Sequence, residues 1–178
     1  MPTDPRPEQP LQSQRKKAVP QMTTPFDIRA ARLEDSPAIS RLIKSLSHHF
    51  LTHPGGTGAE TTLQSFSPAG IAEFIAAPHF CHWVACEHGH VIAVAGLRDN
   101  THLYHLFVAE EWQGHGIGRM LWQHVLRAAQ AAGNSNAFTV NSTPYGQAVY
   151  ERFGFTTTGP LTRRDGMVYI PMALKLTN

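Results

Sequence analysis

Val108-Ala109-Glu110-Glu111-Trp112-Gln113-Gly114-His115-Gly116-Ile117-Gly118-Arg119 is the stretch on which the reading of this 178-residue chain turns. It leaves an apolar run ending Leu106-Phe107-Val108, crosses a glycine-rich turn and enters a segment with apolar residues at helical spacing. Glycines 114, 116 and 118 let the backbone turn sharply and come close to a ligand. The first turn of the following helix points N–H groups without intrahelical partners into that turn, and the helix dipole adds partial positive charge. A phosphate-bearing ligand suits such a place.

Three readings of the loop compete. A Walker-type loop needs Gly-Lys-Ser/Thr at its end, but Gly118 is followed by Arg119 and Met120. A dinucleotide fingerprint needs G-x-G-x-x-G with an acidic residue about 20 positions on. Counted from Gly114, the third glycine falls one place early, and Phe138-Thr139-Val140 offers no acid. The third pattern, Q-x-x-G-x-G, is met by Gln113, Gly116 and Gly118, and it resembles the acetyl-CoA pyrophosphate loop of the GNAT N-acetyltransferase superfamily. On the loop alone an ordinary strand-to-helix turn is the stronger reading, so the rest of the chain decides.

Length and composition set bounds. A chain of 178 residues is expected to hold one domain with a real core. A hydrophobic content of 42% and a charged content of 16% are those of a soluble globular protein. The formal net charge of +2 is too small to argue for a nucleic-acid partner. No apolar run approaches the length of a membrane span, and the N-terminus has no signal-type hydrophobic segment. Cys81 and Cys86 sit in one expected strand at an odd separation, so they point to opposite faces and are not expected to pair. A cytoplasmic location follows as the expectation. The 11 histidines show no H-E-x-x-H or finger spacing, so no metal is expected.

Residues 1–25 carry six prolines among Gln, Arg and Lys and are expected to be a disordered tail. Residues 26–178 are expected to form the single domain. A first strand is expected over 26–30. Ser36-Pro37 reads as a helix start, with Ile39, Leu42, Ile43, Leu46 and Phe50 at helical spacing. Residues 52–65 read as a loop, mobile on account of Gly55, Gly56 and Gly58. Ser67-Pro68 repeats the start signal. Strands are expected over 81–87 and 91–97, joined by His88-Gly89-His90, and over 102–108. The helix after the glycine loop should bury Ile117, Met120, Leu121, Val125 and Ala128 and end at Gly133-Asn134. A strand over 137–140 reaching Asn141, a short helix over 144–153 and a last alternating strand over 168–176 complete the order β-α-α-β-β-β-α-β-α-β. Pro171 places that last strand at an edge or a bulge. The expected class is a mixed α/β domain.

That order is the element order of the GNAT fold, a mostly antiparallel central sheet with a splayed strand pair flanked by helices. A second stretch, Val140-Asn141-Ser142-Thr143-Pro144-Tyr145-Gly146-Gln147-Ala148-Val149-Tyr150-Glu151-Arg152-Phe153-Gly154-Phe155, resembles the family's closing motif, in which a tyrosine precedes a Gly-Phe pair by four residues. The resemblance covers roughly residues 26–176. It implies acetyl transfer from acetyl-CoA to an amine. The coenzyme's pantetheine arm would pair with the backbone of Leu106, Phe107 and Val108. Its pyrophosphate would lie on Gln113, Gly114, His115, Gly116, Ile117, Gly118 and Arg119, and Asn141 would bond the arm. By the same resemblance Tyr150 is the acid toward the coenzyme A thiolate, a role a phenol with a pKa near 10 suits. Packing on the core is the competing role for Tyr150, and a turn or cap role competes for Asn141.

The general base is less defined. Strand alternation puts His102, Tyr104 and Leu106 on one face and Leu103, His105 and Phe107 on the other. In several family members the base or its water relay sits on this strand, and His102 is the candidate here. A histidine bonded structurally within the sheet is an equal reading, and ordered water can replace a single base. The family often has asparagine where this chain has Thr143, which puts the contacts of that turn in doubt. The acceptor, a small-molecule or protein amine, is not legible. A non-catalytic acyl-CoA-binding module stays open as the rival, as does transfer to a hydroxyl or of a longer acyl group. Many members dimerise, and the last strand is the candidate contact for a homodimer.

Overall fold

A computed structural model describes residues 26–134 and 137–176 of the chain. The expected tail, residues 1–25, lies outside the described residues. In chain order the main elements are β1 (Asp27–Ala30), α1 (Ser36–Ser45), α2 (Glu60–Ser65), α3 (Pro68–Ala76), β2 (Phe80–Glu87), β3 (His90–Arg98), β4 (His102–Val108), α4 (Ile117–Ala131), β5 (Ala137–Ser142), α5 (Gln147–Arg152), β6 (Thr156–Thr157), β7 (Thr162–Arg164) and β8 (Met167–Lys175).

One eight-stranded sheet organises them, in the order β1-β2-β3-β4-β5-β8-β6, with β7 also on β8. Every pairing is antiparallel except β4 with β5. Tight turns join β2 to β3, β3 to β4 and β7 to β8, and His88, Asp99, Asn100 and Asp165 accept positive φ in them. The mixed, mostly antiparallel sheet with flanking helices is the architecture the element order implied.

Each face of the sheet buries its own core. On one face Ala85, Ala93 and Ala95 leave room for α4, which lays Ile117, Leu121, Trp122, Val125 and Ala129 against the strands. The expected stripe is thus shifted slightly: Met120 and Ala128 are only half-buried, while Trp122 and Ala129 are buried. On the other face α1 and α3 cover Val84 and Val94 with Ile39, Ile43 and Ile71. No described helix is long and apolar enough to cross a membrane.

Local chemistry sets the boundaries, with four departures from the sequence expectations. Helix α1 starts at Ser36 with Asp35, not Ser36, at the cap position. The Asp35 carboxylate accepts two bonds from the Arg29 guanidinium, at 2.7 and 2.9 Å, and one from the Arg32 N–H at 2.7 Å. Ser67 caps α3 as expected, its hydroxyl accepting from the Gly70 N–H at 3.1 Å. The 52–65 stretch is not all loop, since its last six residues form α2. Pro171 is not on an edge strand: it pairs with Asn141 of β5. Its carbonyl accepts from the Thr158 N–H at 2.9 Å on the other side, where the ladder is interrupted between β6 and β7, so no strand there needs the amide it lacks.

The fourth departure matters most. Gly96 pairs with His105 and Leu97 with Leu103, so Tyr104 is an extra residue, a bulge in β4. The simple alternation along β4 fails there. Leu103 and Leu106 both pack into the α4 core, while Tyr104 and His105 both meet Phe74 on α3.

Candidate active site

Strands β4 and β5 pair at only two positions, His102 with Thr139 and Leu103 with Val140. Beyond the Tyr104 bulge β4 runs on to Val108 while β5 diverges. The result is a cleft of about 720 Å³ whose walls include Leu106, Phe107 and Val108 on one side and Val140, Asn141 and Thr143 on the other. The Ala109 N–H bonds back to Ile92 of β3 at 2.9 Å, so the neighbouring Val108 carbonyl is turned into the gap, where the Gln113 Nε2 donates to it at 3.0 Å.

The glycine loop closes one end. Gly114 and Gly116 have φ of +79° and +81°, and Gly116 is the left-handed residue from which α4 starts. A Cβ built on either would meet nothing within 4 Å. Glycine is needed there for backbone conformation, and the space above it is open. The first turn of α4 contains no acidic side chain, and Arg119 stands in it, exposed. A cation beside a helix N-terminus is unfavourable unless an anion joins them. Free N–H groups, a guanidinium and no resident carboxylate form a place for an anionic group. Gly114, Gly116, Ile117, Gly118 and Arg119 line the cleft. His115 does not; its Nδ1 lies 2.9 Å from the Gln113 carbonyl, where it braces the turn.

Tyr150, on α5, is a buried residue that also lines the cleft. Burial pushes its hydroxyl above the ordinary phenol range, so it stays protonated at neutral pH. Its ring meets Phe153 and Phe155 edge-on, at 6.2 and 5.7 Å between centroids. Tyr150 therefore has both surroundings its sequence position left open, a packed ring and a face on the cleft.

His102 is elsewhere. It lies at the closed end of the strand pair, outside the cleft lining, with its Nδ1 2.7 Å from the Thr139 hydroxyl. Burial, then the nearby Arg98, lowers its pKa and keeps the ring neutral.

Three groups that were not among the expected site residues gain a place from the structure. Tyr145 donates its hydroxyl to the Gln113 Oε1 at 2.8 Å, which ties the start of α5 to the glycine loop across the cleft mouth. His49 lines the cleft and stacks on Tyr145, with 3.9 Å between centroids and 10° between planes. Tyr104, lifted by the bulge, also lines the cleft. Tyr145 stands inside the closing motif, a signal that was available. His49 is far away in sequence and carried none.

The family model of the acetyltransferase (GNAT) domain matches residues 50–176. No curated protein matches the chain. Among solved structures, the chain is similar to a GCN5-related N-acetyltransferase from Rhodopseudomonas palustris, at 18% identity and a TM-score of 0.70, covering 89% of this chain and 100% of that one. It is similar to the PaiA N-acetyltransferase from Thermoplasma acidophilum in complex with coenzyme A, at 16% identity and a TM-score of 0.68, covering 85% and 99%. The ribosomal-protein-S18-alanine N-acetyltransferase from Escherichia coli is also similar, at 19% identity and a TM-score of 0.61, covering 86% and 96%. At such identities these structures speak for the fold.

Proposed function

We propose that this chain, which belongs to the GNAT acetyltransferase family, moves the acetyl group of acetyl-CoA onto a primary amine of a small molecule or a protein by direct attack in a ternary complex. The observation that carries the reading is the parting of β4 from β5 directly beside the glycine loop. A strand edge left open next to a helix N-terminus suits a coenzyme with an amide-bearing arm and a diphosphate. A relative bound to coenzyme A supports the same ligand.

In this reading the first turn of α4 and Arg119 hold the pyrophosphate, and the backbone of Leu106 to Val108 holds the arm. Asn141, exposed on the opposite wall, bonds the arm from β5. Gln113 now occupies the Val108 carbonyl, so its side chain moves aside when the arm binds. The amine nitrogen attacks the thioester carbon, the C–N bond forms and the C–S bond breaks. The Tyr150 phenol gives its proton to the departing thiolate and is restored from solvent. The proton lost by the nitrogen passes to water. Water is favoured over His102 for that step because the Thr139 hydroxyl already engages the imidazole outside the cleft. The free state of both cysteines, Cys81 exposed and Cys86 buried, supports a reducing, cytoplasmic setting.

The test is thiol release with a panel of amines, run on wild type and Tyr150→Phe. Wild type is expected to turn over at least one amine, and the variant to lose about 10²- to 10⁴-fold in kcat while still binding acetyl-CoA. Unchanged single-turnover transfer would remove Tyr150 from the acid role. Binding of acetyl-CoA with no amine acetylated would favour a non-catalytic acyl-CoA-binding module.

A further inference from the structure

Three side chains with metal-ligand chemistry meet on the rim of the cleft. His48 and His49 belong to the Ser47–His49 turn after α1, and Glu110 opens the Glu110–Trp112 turn before the glycine loop. The His48 Nε2 lies 3.6 Å from the Glu110 Oε1. One ligand atom from each of the three falls within 4.8 Å of the others. In a tetrahedral zinc site neighbouring ligand atoms stand roughly 3.3 Å apart, so these groups need to close by about an ångström. His48 and Glu110 have side chains 57% and 63% exposed, free to make that adjustment.

We propose that His48, His49 and Glu110 form a binding site for a divalent transition-metal ion, zinc in the first instance, which fastens the turn after α1 to the turn before the glycine loop. Two imidazoles and one carboxylate suit zinc, nickel or copper and disfavour magnesium and calcium. A fourth position is left for water. The ring of His49 is already oriented by its stack on Tyr145, and Tyr145 is held in turn by Gln113. Such outer contacts fix a ligand's direction before the ion arrives. Spacing along the chain does not reveal the trio, because Glu110 is about 60 residues from the histidine pair. The site does not depend on what the cleft transfers.

The test uses full-length, untagged, metal-free protein at neutral pH. Calorimetric titration with Zn²⁺ is expected to show one equivalent per chain, and Co²⁺ to give the visible absorption of a low-symmetry site. His48→Ala and Glu110→Gln are each expected to weaken Zn²⁺ binding at least about tenfold with unchanged circular dichroism. Replacing His88 and His90, on the exposed β2–β3 turn, by alanine is expected to leave it unchanged. Amide exchange should slow in both rim turns together when Zn²⁺ is added to wild type, and in neither in Glu110→Gln. Absence of uptake by wild type, equal affinity in the His48 and Glu110 variants, or protection of one turn alone would each overturn the proposal.

Discussion

Acidification should destabilise this protein through two buried histidines that lie outside the cleft lining. His82 on β2 and His105 on β4 are buried, 6% and 2% exposed, with the His82 Nε2 3.2 Å from the His105 Nδ1. One nitrogen donates in that contact and the other accepts. The remaining nitrogens, His82 Nδ1 and His105 Nε2, are buried without a partner. Phe66, Phe74, Phe80, Phe107 and Tyr104 surround the pair, and none offers a negative charge at neutral pH. Burial lowers His82 from 6.5 to about 4 and holds His105 well below 6.5, with repulsion from His82, were both charged, adding to the effect. Because both folded values are depressed, the unfolded chain binds the extra protons. The stability at stake is intact above pH 6.5 and drains away as pH falls toward about 4. At pH 5.5 His82 alone costs about 1.4 kcal/mol relative to pH 7.5, and His105 adds to it in the same direction. That is a large part of a total of about 5–15 kcal/mol. Urea denaturation of wild type and of the His82→Leu/His105→Leu double variant at both pH values reads the difference directly. The variant should lose at least about 1.4 kcal/mol less than wild type over this interval. Removing both partners of the contact also removes the two unpaired nitrogens, so its stability at pH 7.5 should not fall by the full cost of one broken bond. Should the variant not fold, ring nitrogen shifts in wild type at pH 5.5 give the answer instead. A charged ring at either position, or equal pH slopes in the two proteins, refutes the reasoning.

Other perturbations separate the site from its scaffold. Gly116→Ala puts a side chain on a left-handed residue, which should cost roughly 1–2 kcal/mol of stability, and it fills the open space over the loop, so calorimetry should show coenzyme A binding weakened at least tenfold. Leu121→Ala empties a fully buried position in the α4 core and should lower stability by about 2–5 kcal/mol in chemical denaturation, with coenzyme A binding per folded molecule unchanged. Asp35→Asn breaks the charged pair of hydrogen bonds from Arg29 and should cost about 1.5–3 kcal/mol. Arg29 lowers the Asp35 carboxyl from its usual 3.8, so this contribution is present above that value and is lost as pH falls below it, a window that begins where that of the histidines ends.

The hairpins and the strand-to-helix turn were legible because their signals are local. His88-Gly89, the apolar runs of β2 and β3 on either side of it, and the two glycines that need positive φ each declare themselves within a few residues. The Tyr104 bulge was not, since nothing in His102 to Val108 marks an extra residue; it is imposed by pairing with β3. Helix α2 escaped because Glu60–Ser65 has two threonines and no buried residue, so neither propensity nor periodicity announces it. Pro171 was read as marking an edge or a bulge because a sequence shows the missing amide but not the interrupted neighbour that tolerates it. In the cleft the glycine loop and Tyr150 stood out by motif. His49 did not, because its place depends on how the turn after α1 lies against Tyr145.

The two-rung contact between β4 and β5 has a mechanical side. The strands from β1 to β4 form one stiff plate and those from β5 to β8 another, joined edge to edge along a seam that is mostly unstitched. Beyond those two rungs, what holds the plates together is the shared apolar core beneath α4, which draws residues from both. A molecule lodged in the seam would touch both plates at once and supply bonds that the seam lacks.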